Sequence, residues 1–247
     1  MKFEYLIEIK KLLEVIETKE QETMQQAVEV LTNAILDNQS IFIFGASHAG
    51  ILSEELFYRA GGLVLINPIF ARELMLDTTP VTHTSQMERL VGYGTAVLNN
   101  VPIKENDVLI VHSVSGRNPV SVEIAQEAKK RGAKVIALTN VTYSKSVSSR
   151  HPSGQRLFEV ADIVLDNHGA IGDACVAVDG LDQKVAPSST VIGATILNSI
   201  IAATTQELCN RGMKNPPIFY SANIDGGDEL NQKIYDEYKG NIHYRFK

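Results

Sequence analysis

The chain has 247 residues, 44% of them hydrophobic and 21% charged, a balance that suits a folded domain whose core needs no covalent staples. Acidic residues outnumber basic ones 29 to 23, for a net charge of −6, so the basic surface of a non-specific nucleic-acid binder is excluded and no nucleic-acid partner is expected. The two cysteines, Cys175 and Cys209, cannot build a disulfide framework; with no secretory leader in view and no apolar run of roughly 18 residues, no membrane partner and a reducing cytoplasm are expected.

Residues 1–38 read as an N-terminal helical segment. Leu6, Ile9, Leu12, Leu13 and Ile16, then Ala27, Val28, Leu31, Ala34 and Ile35, recur at helical spacing among Glu, Gln and Lys. An amphipathic stretch ahead of any sheet must cover the following domain or a second subunit, and a homodimer built on it is expected. The pattern then switches to short, continuously apolar runs at 41–44, 63–66, 108–111, 135–138 and 163–165, the mark of strands buried on both faces. Helical stretches near 49–60, 85–99, 118–131 and 189–211 separate most of them. Over residues 39–211 this alternation predicts an α/β fold, a doubly wound, flavodoxin-like parallel sheet of five strands with helices on both faces. Three longer connections, 68–84, 140–156 and 167–187, are of the length that carries function. Residues 212–247, with Pro216-Pro217, Gly226-Gly227 and a short polar helix near 228–239, read as a C-terminal appendage.

Open parallel sheets bind ligands beyond the carboxyl ends of their strands, and two of those ends share one chemistry. The first strand runs into Gly45-Ala46-Ser47-His48-Ala49-Gly50 and a helix. The third runs into Ser113-Val114-Ser115-Gly116-Arg117-Asn118-Pro119 and another helix. Small residues let the backbone approach a ligand, hydroxyls donate, and helix starts offer unpaired N–H groups. Each charge-assisted hydrogen bond to a phosphate oxygen contributes about 1.5–3 kcal/mol. Pro119 suits a first helical turn because the N–H it lacks has no partner there. Either loop alone is also what turn and N-cap geometry uses. Two of them, each after a buried strand, point to a phosphorylated ligand, with Gly45, Ser47 and His48 as the first loop's candidates.

Strand–Gly-x-Ser–helix followed by strand–Ser-x-Ser-Gly–helix resembles the sugar isomerase domain, usually called the SIS domain, and the Ser-x-Ser-Gly element is the most specific part of the match. The long N-terminal helix is similar to that of phosphoheptose isomerase and its relatives, and the chain looks like the stand-alone bacterial members of that group. The resemblance implies a phosphosugar ligand whose phosphate is wrapped by the Ser-x-Ser-Gly loop. That role falls to Ser113, Ser115 and Asn118, with the backbone of Val114 and Gly116, and Ser47 contributes from the first loop. Relatives often carry a further Ser/Thr group at the start of the last core helix; Ser188 and Ser189 occupy that place, where one of them can equally serve as the cap.

Aldose–ketose isomerisation needs a base to move a proton between C1 and C2 and an acid to help open the ring. Glu54 and Glu55 lie two turns into the helix after the first loop, roughly 10 Å from its start at about 1.5 Å per residue. Glu54-Glu55-Leu56 resembles a Glu-Glu-Leu on the same helix of phosphoheptose isomerases, at slightly shorter spacing from the serine loop; surface helices also carry Glu for solvation alone. Of the six histidines, His83 and His168, both on long connections, are the candidates for the acid. His112 precedes Ser113 and points to the opposite face as a core residue, and His243 reads as structural. His168, Asp173 and Cys175 are near in sequence, yet no paired motif supports a metal, and neither metal nor cofactor is expected. The expected function is a sugar-phosphate isomerase of carbohydrate metabolism. The alternatives are a non-catalytic sugar-phosphate sensor and an etherase or lyase acting on an amino-sugar phosphate. Gly45-Ala46-Ser47-His48-Ala49 comes near the Gly-x-Ser-x-Gly elbow of α/β-hydrolases, but that elbow follows several strands, and only helix precedes it here. The Gly-x-Gly-x-x-Gly of a Rossmann dehydrogenase is missing from the first loop.

Overall fold

Strand alternation organises the core. The computed structural model describes residues 2–246; Met1 and Lys247, the outer ends of the expected N-terminal segment and C-terminal appendage, lie outside the described residues. Strands β1 (Ile41–Gly45), β2 (Ile66–Pro68), β3 (Val108–His112), β4 (Lys134–Thr139) and β5 (Ile163–Asp166) form a parallel sheet in the order β2-β1-β3-β4-β5. Winding reverses between β1 and β3, the topological switch point of a flavodoxin-like sheet. The helices are α1 (Glu4–Lys19), α2 (Gln21–Leu36), α3 (Ile51–Leu56), α4 (Thr82–Glu88), α5 (Tyr93–Leu98), α6 (Pro119–Lys130), α7 (Val141–Ser146), α8 (Leu157–Val160), α9 (Ser189–Asn210) and α10 (Gly227–Tyr238). A small antiparallel hairpin, β6 (Ala174–Val176) and β7 (Val185–Pro187), precedes α9. Successive strand side chains point to opposite faces. Ile41, Ile43, Val108, Ile110, Ile136 and Leu138 therefore pack under α1, α2, α3 and α9, whereas Phe42, Phe44, Leu109, Val111, Val135 and Ala137 pack under α5, α6 and α8. Among the described residues no helix is long and apolar enough to cross a membrane.

Several elements differ from the sequence expectation for tertiary reasons. The N-terminal helix is two helices that turn at Glu20. That carboxylate is buried, and it accepts from the Asp166 amide at 3.2 Å and pairs with His168 Nε2 at 2.8 Å. The run 63–66 is buried but joins the sheet only at Ile66. Leu63 bridges Ile218, and the Val64 amide donates to the Pro217 carbonyl at 2.8 Å, so the C-terminal chain has claimed the start of this run. The helix expected over 85–99 is broken into α4 and α5 at Gly92, whose φ is +91°. The buried Glu123 carboxylate takes the amides of Gly92, Gly94 and Thr95 at 2.6, 2.8 and 3.3 Å, which seats the start of α5 on α6. The segment expected as a C-terminal appendage returns along the β2 edge, where Phe219 and Ile242 are buried in the core under α1 and α9, and the Tyr244 hydroxyl donates to the Val64 carbonyl at 2.8 Å.

Candidate functional site

The two serine loops leave neighbouring strands at the switch point. After β1 the chain must turn at once: a Cβ on Gly45 would lie 2.3 Å from the Ala49 carbonyl oxygen, so only glycine admits the tight 3₁₀ turn over Ser47–Gly50. After β3 the loop is held from behind. The Thr139 hydroxyl donates to the carbonyls of Ser113 and Val114 at 2.7 and 3.0 Å, the Asn140 amide to Val114 at 3.0 Å, and the Leu157 amide to Gly116 at 2.8 Å. Gly116 takes φ +58° against Thr139, Ser144 and Leu157, a conformation and a space that favour glycine. With its carbonyls engaged, the loop has donors left over. The amides of Val114, Ser115, Gly116 and Arg117, and the half-buried hydroxyls of Ser113 and Ser115, donate to no protein acceptor among the described residues. Asn118 is the N-cap residue and Pro119 the first residue of α6, whose N-terminus closes the loop.

Between the loops lies a cleft of about 510 Å³, walled by Ser47 and His48 from one loop and Ser113, Val114, Ser115 and Asn118 from the other, with Glu88 of α4, Tyr143 of α7 and Asp173. An adjoining chamber of about 340 Å³ shares Ser47 and Leu76 with it and is lined by Gly45 and Glu54. Glu54 is exposed there, whereas Glu55 turns toward α9 and accepts from Arg59 and, at 3.1 Å, from Asn198 Nδ2. Ser188 and Ser189 are buried behind Asp173. Its carboxylate accepts from both of their amides, at 3.2 and 2.8 Å, and from the Ser189 hydroxyl at 2.5 Å, and so caps α9 from a distance. His83 lies on α4 but outside the lining of the cleft. His168 also lies outside it, held by Glu20 and, more loosely, by Asp166. No group of three or more His, Cys, Asp or Glu side chains among the described residues is placed to hold a metal ion.

His112 sits behind the cradle. Burial pushes its imidazole below the ordinary value of 6.5 and keeps it neutral, and its contact with the Ala49 carbonyl at 3.0 Å makes Nδ1 the protonated nitrogen. Glu88 is the wall residue that sequence reasoning missed. Its carboxylate accepts from the Ser47 hydroxyl at 2.6 Å and from Asn118 Nδ2 at 2.7 Å, across separations of 41 and 30 residues that no local pattern reveals.

The sequence profile of the SIS domain matches residues 4–140, a span that includes both N-terminal helices and both serine loops. The chain belongs to the SIS-domain family. A UPF0309 protein of Shouchella clausii is 51% identical to it over 241 residues, covering 98% of both chains. A second, from Oceanobacillus iheyensis, is 50% identical over 241 residues with the same coverage. Among solved structures, the phosphoheptose isomerase of Francisella tularensis superposes with a TM-score of 0.52 at 14% identity, covering 82% of this chain and 95% of that one. That of Neisseria gonorrhoeae gives 0.52 at 17% identity, covering 83% and 95%. At these identities the likeness is one of fold, and it places this SIS domain in the same parallel-sheet architecture with N-terminal helices.

Proposed function

We propose that this SIS domain binds a sugar phosphate and interconverts its aldose and ketose forms. The observation that carries the binding half is the set of unpartnered donors after β3: the half-buried hydroxyls of Ser113 and Ser115 and the amides of Val114 and Ser115 belong to residues that line one cleft, with Asn118 at the start of α6, which suits a group with several anionic oxygens. Ser47 supplies a further hydroxyl from the opposite wall. The sugar then runs past Ser47 into the adjoining chamber, where Glu54 is the base. It takes the proton from C2 of the open-chain aldose and returns it at C1, while the hydroxyl protons exchange between O1 and O2, so the step is redox-neutral within the substrate and needs no cofactor. His48, on the cleft wall, is the imidazole available to assist ring opening. We place the homodimer contact on the apolar groove between the N-terminal helices and α9, lined by Leu13, Ile16, Met24, Val28 and Ile200, and the protein in the cytoplasm.

Proton transfer through carbon is what separates an isomerase from a sensor with the same cradle. Incubated in deuterated water with a panel of hexose, heptose and pentose phosphates, the wild type incorporates deuterium at C2 or C1 of one of them. Glu54→Gln slows that incorporation by about 100-fold or more, the usual scale for removing a general base, and Glu55→Gln does so far less. Saturable binding with no exchange in any sugar phosphate leaves the sensor as the function.

A further inference from the structure

One of the chain's own side chains occupies the mouth of the phosphate cradle. Glu88, at the end of α4, reaches between the two loops and accepts from Ser47 Oγ at 2.6 Å and from Asn118 Nδ2 at 2.7 Å. Behind Asn118, Arg150 Nη1 donates to its Oδ1 at 2.9 Å, which fixes the amide with Nδ2 toward the carboxylate. Ser47 and Asn118 are two of the donors proposed to hold the ligand's phosphate, and the role of Glu88 rests on that reading. A carboxylate and a phosphate are both acceptor-only anions that satisfy a hydroxyl and an amide N–H equally well. They cannot share the same two donors, because like charges at hydrogen-bond range repel in a half-buried cleft.

Helix α4 is otherwise held by packing, with Thr84 buried and Met87 against the core. Among the described residues, the two bonds to Glu88 are the only side-chain hydrogen bonds that join α4 to other elements. The apolar residues flanking the helix, Val81, Leu90 and Val91, are each at least half exposed. Displacing the carboxylate therefore removes the polar tie that holds this helix over the cleft.

We propose that Glu88 is a specificity-determining residue, an internal anion that fills the cradle and that a ligand must displace. Inorganic phosphate offers no contacts beyond the cradle and competes poorly with a tethered carboxylate. A phosphate ester gains further contacts along the wall and into the chamber beside Ser47, and these offset the loss of the Glu88 bonds. The site thereby selects sugar esters over the free phosphate present wherever sugar phosphates are made or cleaved, and entry of the ester releases α4.

The test uses the full chain, with inorganic phosphate as probe and calorimetric titration as readout. Glu88→Gln keeps the side chain's shape and removes its charge; Glu88→Ala removes both the charge and the bonds. Both variants should bind inorganic phosphate about tenfold or more tightly than the wild type, a shift well beyond titration error. Amide exchange across 82–88 should rise in Glu88→Ala, and on phosphate binding to the wild type. Unchanged or weaker phosphate binding in both variants would overturn the proposal and make Glu88 a supporting member of the cradle. If Ser113→Ala with Ser115→Ala binds every sugar phosphate in the panel as the wild type does, the phosphate-cradle reading itself has failed, a result distinct from the failure of Glu88 alone.

Discussion

His112 shows how one residue couples the cradle to the stability of the fold. It ends β3, 1% exposed, with Nδ1 donating to the Ala49 carbonyl and Nε2 buried without a partner. A proton on that imidazole is disfavoured by burial, so the folded value lies below 6.5 while the unfolded chain titrates near it. Below pH 6.5 the unfolded state binds a proton that the folded state refuses, so stability falls as pH drops from the unfolded value toward the folded one. Above that window the penalty vanishes. One such group gives a slope of at most about 1.4 kcal/mol per pH unit. His243, stacked on Phe42 and bonded to Ser40 Oγ at 2.9 Å, is pushed down by burial as well and adds to the same slope. Thermal unfolding of the wild type should therefore lose midpoint between pH 7.5 and 5.5, and His112→Asn, which can keep the Ala49 contact, should lose less across the same range. Parallel curves for the two proteins would show that His112 does not titrate as its burial demands. The core placement of His112 was legible from strand alternation alone. Glu88 was not legible, since nothing near it in sequence says that a surface-type helix residue will meet two loops at once.

Among the elements, the strands were legible because fully buried parallel strands announce themselves as short apolar runs between glycines and prolines. The failures came where a distant group intervenes. Residues 85–99 carry apolar residues at helical spacing, but Gly92 and Gly94 weaken a helix there, the Glu123 carboxylate offers their amides a better partner than a continuing helix does, and the stretch splits at Gly92. The run 63–66 has strand composition, but Pro217 and Ile218 claim its first residues before β1 can. The start of α9 reads as self-capped by its own Ser188 or Ser189, whereas the cap is Asp173, brought back by the β6–β7 hairpin. The turn between β1 and α3 is the element on which the first serine loop depends, and it has no room at Gly45. Gly45→Ala should destabilise the fold by about 1–3 kcal/mol or more, the range for forcing an added carbon into a packed site, and should displace Ser47 from the cleft. Denaturant melts are the check; an alanine variant as stable as the parent would mean that the turn relaxes at little cost.

For the molecule as a whole, the order β2-β1-β3-β4-β5 places the reversal of winding between the two strands that carry serine loops. That coincidence of topology and chemistry is why Ser47 and residues 113–115 with Asn118, far apart in the chain, come to wall one cleft on a protein whose overall charge is negative. Backbone amides and hydroxyls do not depend on net charge, so an acidic surface is compatible with the proposed anion site. The loops' residue types were legible because glycine and serine at strand ends form a pattern; the adjoining chamber with Glu54, and the carboxylate poised between the loops, emerge only from the packing of α3 and α4. Whether the donors after β3 hold a phosphate decides everything else proposed for this site. Thermal unfolding with a panel of sugar phosphates and their unphosphorylated parents asks that question without presuming catalysis. The midpoint should rise with at least one phosphorylated sugar and not with its parent sugar, and the rise should be lost in the folded Ser113→Ala, Ser115→Ala double variant. A double variant stabilised as much as the wild type by the same sugar phosphate would contradict the phosphate cradle.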